Sequence, residues 1–436
     1  MGYFQNEDNF YENLIKDYDS KLDTDGLSGQ RLARRLAVLS HIGETENGGV
    51  NRPGFSQEEK QAKEFVMDWM NEAGLEVSVD GAGNVFGRLD GLKNSPPIIS
   101  GSHLDSVPDG GSFDGPLGVL AALEVVEAWK TKGYTPEKPF EIAIFSDEEG
   151  ARFKSGLMGS RAFMGQVKEE ELVDYVDEQG HTFTEVIEEY GSDMDQYLDY
   201  EFKRKAIDMF IEFHIEQGEI LEKENQPVGI VTGIAGPAWL EVNFKGEAGH
   251  AGNTPMFGRK DSLVAAAMLV KKIEELPKKV NDTAVATVGK LNVVPNGSNV
   301  IAGEVNLIVD VRDIHEETRD ELIGIIEREA KTIAETKELD VDMIHNSTIK
   351  PLPIEEKYQR ELAEILKKHQ IKPVYIPSGA GHDSMILGTK IPVAMLFVRS
   401  KDGISHHPDE WSSLSDCIQG VHVLKDYIEN KMETKE

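Results

Sequence analysis

Three segments, "PPIISGSHLD", "FEIAIFSDEEG" and "MFIEFHIEQG", each set a histidine or a carboxylate at the end of an apolar run of strand length. Short apolar runs bounded by Gly, Pro and Asp read as buried strands. Helical stretches stand between them. "SQEEKQAKEFVMDWMNEAG" spaces its apolar residues at helical intervals, opens on Ser56 as N-cap with Glu59 three residues on, and closes on Gly74. "LSGQRLARRLAVLSHIG" has the same period, and "GPLGVLAALEVVEAWKTKG" carries Pro116 at its start and Gly133 at its end. "LEVSVD" and "GNVFGRLDG" read as further strands. Strands alternating with helices predict an α/β sheet covered by helices. In such sheets functional residues gather where parallel strands end.

Residues 166–205 read as an acidic helical insert, and from about Pro227 the rhythm changes. "GIAGPAWLEVNFKGEAGHAG" and "AVATVGKLNVVPNGSNVIAGEVNLIVDVRD", with helical stretches at 262–276 and 316–337, predict antiparallel strands with helices on one face. "YIPSGAGHDSMIL" and "IPVAMLFVRS" then return to the first style. The expected architecture is a discontinuous α/β catalytic domain, 1–229 and 348–436, interrupted by a smaller α+β domain, 230–347.

Composition narrows the partners. The 436 residues carry a formal net charge of −32, from 46 basic and 78 acidic side chains. Such a surface repels nucleic acid and anionic membrane, and an anionic substrate would need a local basic group to hold it. With Cys417 as its one cysteine, the chain builds neither a disulfide framework nor a thiolate metal site. The N-terminal stretch is polar and acidic, and no segment approaches the roughly 20 apolar residues of a membrane helix. A cytoplasmic location is expected.

In "GSHLDSVPDGGSFDG", His103 and Asp105 end a strand and Asp114 precedes a helix. An imidazole can bind a metal while a nearby carboxylate fixes its tautomer. The plain alternative is a glycine-rich turn with an exposed histidine. Glu148 and Glu149 are, by default, solvated charges at a strand end. A metal opposite them would relieve their repulsion, with one glutamate as ligand and its neighbour taking a proton from the attacking water. His214 in "EFHIEQG" and His406 in "GISHHPDEWS" fall at comparable places. Each histidine alone is more often structural. Together with Asp114 as a bridge, the set suits two divalent metals.

These segments, with "SGLMGSRAF", "AGHAGNTPM", "VPNGSNVIAGEV" and "SGAGHDSM", resemble the amidase/hydantoinase/carbamoylase branch of the M20 metallopeptidase family, from about residue 30 to the end and in family order. The resemblance implies His103, Asp114, Glu149, His214 and His406 as metal ligands, with Asp114 bridging. His406 is the member of the His406-His407 doublet that matches the motif. Glu148 would be the general base, Asp105 the orienter of His103, and the inserted domain a dimerisation or lid domain giving a homodimer. His250 would polarise the scissile carbonyl, Asn299 and Gln217 would hydrogen-bond the substrate, and Gly379 to Gly381 would border it. In "EVNLIVDVRD", Arg312 shares a face with Asp310 and reads as an ion pair. By resemblance it holds the substrate carboxylate, as a bidentate guanidinium can. Ser378, His382 and Asp383 lack the G-x-S-x-G elbow of a nucleophile arrangement, and His382 reads as structural or supporting.

The expected activity is hydrolysis of a linear ureido C–N bond in a small anionic substrate, foremost an N-carbamoyl-L-amino acid, releasing ammonia, carbon dioxide and the amino acid. Allantoate amidohydrolysis is the nearest alternative, followed by dipeptidase or aminoacylase activity and, last, a non-catalytic metal-binding scaffold. Two divalent ions per subunit are expected, from among Mn²⁺, Co²⁺, Ni²⁺ and Zn²⁺. Mixed His and carboxylate ligands discriminate poorly among these.

Overall fold

The computed structural model describes residues 9–199 and 206–433. The start of the N-terminal stretch and the last residues of the acidic insert lie outside them. In chain order the strands are β1 (Glu76–Val79), β2 (Val85–Leu89), β3 (Ile98–His103), β4 (Phe140–Phe145), β5 (Met209–Ile215), β6 (Val228–Ile234), β7 (Gly236–Lys245), β8 (Gly249–His250), β9 (Val285–Val294), β10 (Val300–Ile301), β11 (Glu304–Asp313), β12 (Asp340–Thr348), β13 (Leu352–Pro353), β14 (Tyr375–Ser378) and β15 (Val393–Val398). The chain divides into two compact units. The first holds the described residues up to Val231, Ile354–Ile376, and those from His382 onward; the second holds Thr232–Pro353 with Pro377–Gly381. Thr348–Pro353, expected on the far side of the boundary, goes with the second unit. So does the glycine-rich segment, where Ala235 donates its N–H to the Ser378 carbonyl and Arg312 donates to the Gly379 carbonyl.

In the first unit the sheet runs β1-β2-β4-β3-β5-β15-β6. Its four central strands are parallel, with β3 beside β4 and β5, and β15 beside β5. The flanks are antiparallel: β1 pairs β2, β2 pairs β4, and β6 pairs β15. The sheet is therefore mixed rather than continuously parallel. The β1–β2 turn is short because the Asp80 carboxylate accepts the N–H groups of Ala82 and Asn84. Helix Pro116–Lys132 is buried along nearly its whole length, with Leu117, Leu120, Val125 and Trp129 in the core. Helix Gln57–Ala73 is capped as its sequence indicates, Ser56 Oγ accepting from the Glu59 N–H and Gly74 adopting the left-handed conformation.

In the second unit four antiparallel strands run β12-β7-β11-β9. Leu240, Val242 and Phe244 of β7 and Val305, Leu307, Val309 and Val311 of β11 alternate onto one buried face. The helices Ser262–Ile273 and Glu316–Lys337 cover it through Leu269, Ile273, Leu322 and Ile326. A two-stranded ribbon, β8 with β10, pairs His250 with Val300. Among the described residues no helix is long and apolar enough to cross a membrane.

Two glycines separate close approach from plain flexibility. A Cβ on Gly101, in the middle of β3, would come 1.9 Å from the Ala143 carbonyl oxygen, which is backbone and cannot step aside. On Gly324, inside a helix, it would meet only the end of Arg328. Urea denaturation is expected to show Gly101→Ala destabilised by at least about 1–3 kcal/mol. Gly324→Ala should gain roughly 0.5–1 kcal/mol.

Candidate metal centre

The order β4-β3-β5-β15 brings four parallel C-terminal ends to one edge of the sheet. His103 is the last residue of β3, Glu148 and Glu149 follow β4, His214 is near the end of β5, and His406 lies in the loop beyond β15. Asp114 sits in the loop between β3 and helix Pro116–Lys132. Residues up to 303 positions apart in sequence thereby fall within reach of one another, because neighbouring parallel strands must end together.

Asp114 is the centre of the cluster. Its Oδ1 lies 3.1 Å from His214 Nε2 and 3.5 Å from His103 Nε2, and its Oδ2 lies 3.4 Å from His406 Nε2. His406 Nε2 is also 3.4 Å from Glu149 Oε2, and His103 Nε2 is 3.8 Å from Glu148 Oε2. Three sets of donor atoms are close enough to share an ion: His103, Asp114 and His214; Asp114, Glu149 and His406; and His103, Glu148 and Glu149. The two Asp114 oxygens face different sets.

The tautomers follow from local hydrogen bonds. His103 Nδ1 is 3.0 Å from the Asp105 carbonyl and His214 Nδ1 is 3.0 Å from the Ile215 carbonyl. A carbonyl can only accept, so each Nδ1 carries a proton, and in the neutral ring each Nε2 keeps a lone pair facing Asp114. Both Nε2 atoms are buried without a hydrogen-bond partner. Lone pairs facing a carboxylate leave room for a cation and call for one, so the donor set fits a divalent metal.

The electrostatics say the same. Burial, with Glu149, Asp383 and Asp105 nearby, pushes the Glu148 carboxyl well above its usual range against the pull of His103. Burial and the Asp114 charge raise Glu149 to about 8. The hydrogen bond to Asp114 raises His406 to about 9. Burial opposes ionisation of Asp114, yet His214, His103 and His406 hold it well below the usual carboxylate range. The raised glutamates mark a pocket where buried carboxylates crowd together, and the carboxylates in turn raise His103, His214 and His406. Backbone strain gathers here too, with left-handed φ angles of 50° at Asp147, 55° at Gln217 and 56° at His406.

Asp105 braces both glutamates at once. Its Oδ1 accepts the Glu148 N–H and its Oδ2 the Glu149 N–H, each at 3.1 Å, while Oδ1 lies 3.5 Å from His103 Nδ1. Of the histidine doublet, only His406 reaches the cluster; His407 Nδ1 accepts the Asp409 N–H instead. Gln217 donates from Nε2 to Asp114 Oδ2 at 2.6 Å, so in this state it serves the aspartate. His382 is buried edge-on against the His214 ring at 4.5 Å, and burial first, then His214, keeps it neutral. Ser405 and Glu410, behind Asp114, were not singled out in the sequence. Serine and glutamate in a loop carry no signal of their own, although both lie within "GISHHPDEWS".

The remaining expected residues belong to the second unit. His250 Nδ1 accepts the N–H groups of Gly252 and Asn253, which puts the proton on Nε2. The Asn299 carbonyl accepts the Ala251 N–H, so the ribbon holds these two residues together. Arg312 makes the bidentate pair with Asp310, at 2.9 and 2.8 Å, and its Nη1 donates to the Gly379 carbonyl. A Cβ on Gly379 would lie in open space, so the chain's own packing does not demand glycine there. Gly381 is exposed.

Comparison with known proteins agrees with these observations. Residues 99–430 match the family model "Peptidase family M20/M25/M40". The chain is 42% identical to an N-carbamoyl-L-amino acid amidohydrolase of Geobacillus stearothermophilus, covering 91% of this chain and 97% of that one. It is 31% identical to an allantoate amidohydrolase of Escherichia coli, covering 91% and 96%. Its structure is similar to the crystal structure of an amidase of the hydantoinase/carbamoylase family from Burkholderia multivorans, with a TM-score of 0.88 and 32% identity over 95% of this chain and 100% of that one.

The packing around Asp114 makes a test. A Cβ on Gly115, which has φ +82°, would sit 2.5 Å from the His103 ring. Gly115→Ala is expected to keep its circular dichroism spectrum yet weaken metal uptake by about 10-fold or more, read by titrating the metal-free protein.

Proposed function

This chain belongs to peptidase family M20/M25/M40, and from that premise we propose that it hydrolyses the carbamoyl C–N bond of N-carbamoyl-L-amino acids. Allantoate amidohydrolysis is the second reading, favoured by the similarity to the Escherichia coli enzyme. The observation that carries the proposal is the division of Asp114, one oxygen toward His103 and His214 and the other toward His406, with Glu148 left beside the cluster.

On this reading His103, Asp114 and His214 would hold one divalent ion, and Asp114, Glu149 and His406 would hold a second. Mn²⁺, Co²⁺, Ni²⁺ and Zn²⁺ are the candidates. When bound, the ions would polarise the carbamoyl carbonyl and favour deprotonation of the attacking water. Glu148 takes that proton; its buried carboxyl, already inclined to bind one, then delivers it to the leaving nitrogen. His250, with its proton on Nε2, donates to the developing oxyanion. Asn299 and Gln217 hydrogen-bond the ureido group, the segment Gly379 to Gly381 borders it, and Arg312 holds the substrate carboxylate. That arginine supplies the cation that a chain of net charge −32 needs for an anionic substrate.

We also assign the second unit a dimerisation role. Strand β9 ends its sheet and exposes Val285, Leu291 and Val294, while helix Ser262–Ile273 exposes Leu263, Val264 and Met268. An apolar edge strand beside an apolar helix face is a surface that a second copy of the chain can cover.

Ammonia release by the metal-free protein, after adding back each metal with N-carbamoyl-L-amino acids, N-carbamoyl-β-alanine and allantoate, tests the activity. Turnover should depend on metal, favour an N-carbamoyl-L-amino acid and fall about 10²–10⁴-fold in Glu148→Ala. Turnover that survives this change would remove Glu148 as the base. Arg312→Ala should lose roughly 10- to 100-fold in kcat/KM, mostly through KM, because a charged hydrogen bond to the substrate is gone. Sedimentation should give twice the chain mass, and Leu291→Lys with Val264→Glu should return it to one. A monomeric parent protein would end the dimer reading.

A further inference from the structure

Asp105 shows how a ligand loop is held in this site, by one carboxylate accepting two successive backbone N–H groups. The same device recurs on the other side of the cluster. Glu410 is 3% exposed, and its Oε1 accepts the N–H of Phe113 at 2.9 Å and that of Asp114 at 3.1 Å. The Ser405 hydroxyl bridges onward, 2.9 Å from Glu410 Oε2 and 2.8 Å from Asp114 Oδ2. Glu410 thus meets both the backbone and, through Ser405, the carboxylate of the residue that divides its oxygens between two ligand sets.

The local chain is shaped around this contact. A Cβ on Gly111 would come 2.0 Å from Glu410 Oε1, so the loop approaches the carboxylate closely only because glycine stands there. The Glu410 N–H returns to the His407 carbonyl, closing a turn next to His406. Phe113 packs edge-on against Trp411, with ring centroids 5.5 Å apart, so an apolar contact joins the same two loops independently of the carboxylate.

We propose that Glu410 is a positioning residue: it ties the loop carrying Asp114 to the loop carrying His406 and fixes the direction in which the Asp114 carboxylate meets a metal. The inference rests on the metal-centre reading above. Glu410 touches no reacting atom; it acts through Asp114. Free rotation of that aspartate would cost metal affinity before it cost folding, since the Phe113–Trp411 contact remains.

Calorimetric titration of the metal-free protein with Mn²⁺, with folding followed by circular dichroism, tests it. Glu410→Ala is expected to weaken Mn²⁺ binding by about 10- to 100-fold. Glu410→Gln keeps a carbonyl oxygen for the two N–H groups and should stay within a few-fold of the parent. Ser405→Ala, which cuts the bridge to Oδ2 and the longer contact from Gln217 Nε2 but leaves the Glu410 grip on the backbone, should fall between them. A Glu410→Ala protein that binds Mn²⁺ as the parent does, while melting at a lower temperature without metal, would show a merely structural glutamate and overturn the proposal. Glu410→Gln as weak as Glu410→Ala would overturn the amide grip. If Glu410→Ala does not fold, the other two variants decide: near-parent affinity in Glu410→Gln with weakened binding in Ser405→Ala supports the proposal, and an unaffected Ser405→Ala refutes it. A parent protein that takes up no metal would instead bring down the metal-centre reading, and this inference with it.

Discussion

Negative charge buried at one place is the constraint on which this structure turns. Asp114, Glu148, Glu149, Asp105 and Glu410 lie together at one edge of a sheet, nearly all of them removed from water. Burial alone would neutralise carboxylates so placed. The histidines answer part of the demand, with the Nε2 atoms of His103 and His214 turned toward Asp114 in a set of donors that could hold a metal ion. The family to which the chain belongs works with such ions.

The sheet makes this concentration of charge possible. Parallel strands that neighbour one another must end at the same edge, so β4, β3, β5 and β15 deliver their following loops to one place. Hydrogen bonds from the backbone then do what salt bridges do elsewhere. Asp105 grips the amides of Glu148 and Glu149, and Glu410 those of Phe113 and Asp114. Each of these carboxylates faces N–H dipoles that offset its charge and fix the loop that carries them.

Much of this was legible in the chain. The strands that lead to His103, Glu148 and His214 could be read because apolar runs of strand length are local. So could the helix caps at Ser56 and Gly74, whose partners lie within a few residues. The antiparallel flanks of the first sheet could not, since strand direction depends on which neighbour a strand finds. Glu410, Ser405 and the turning of Gln217 toward Asp114 were equally out of reach, because loop residues of ordinary type gain meaning only from partners far along the chain. For Arg312 the pair with Asp310 stands as the alternation of β11 indicates, and the bond to the Gly379 carbonyl adds a partner 67 residues away.

The sequence by itself determined the residue types of the site and their placement at strand ends, because periodicity, capping and the cost of burying charge act over short stretches of chain. Only the tertiary structure decided which imidazole of the doublet reaches Asp114 and which carboxylate steadies which loop. Those choices are made by hydrogen bonds between segments as much as 297 residues apart, and such contacts exist only once the strands have taken their neighbours.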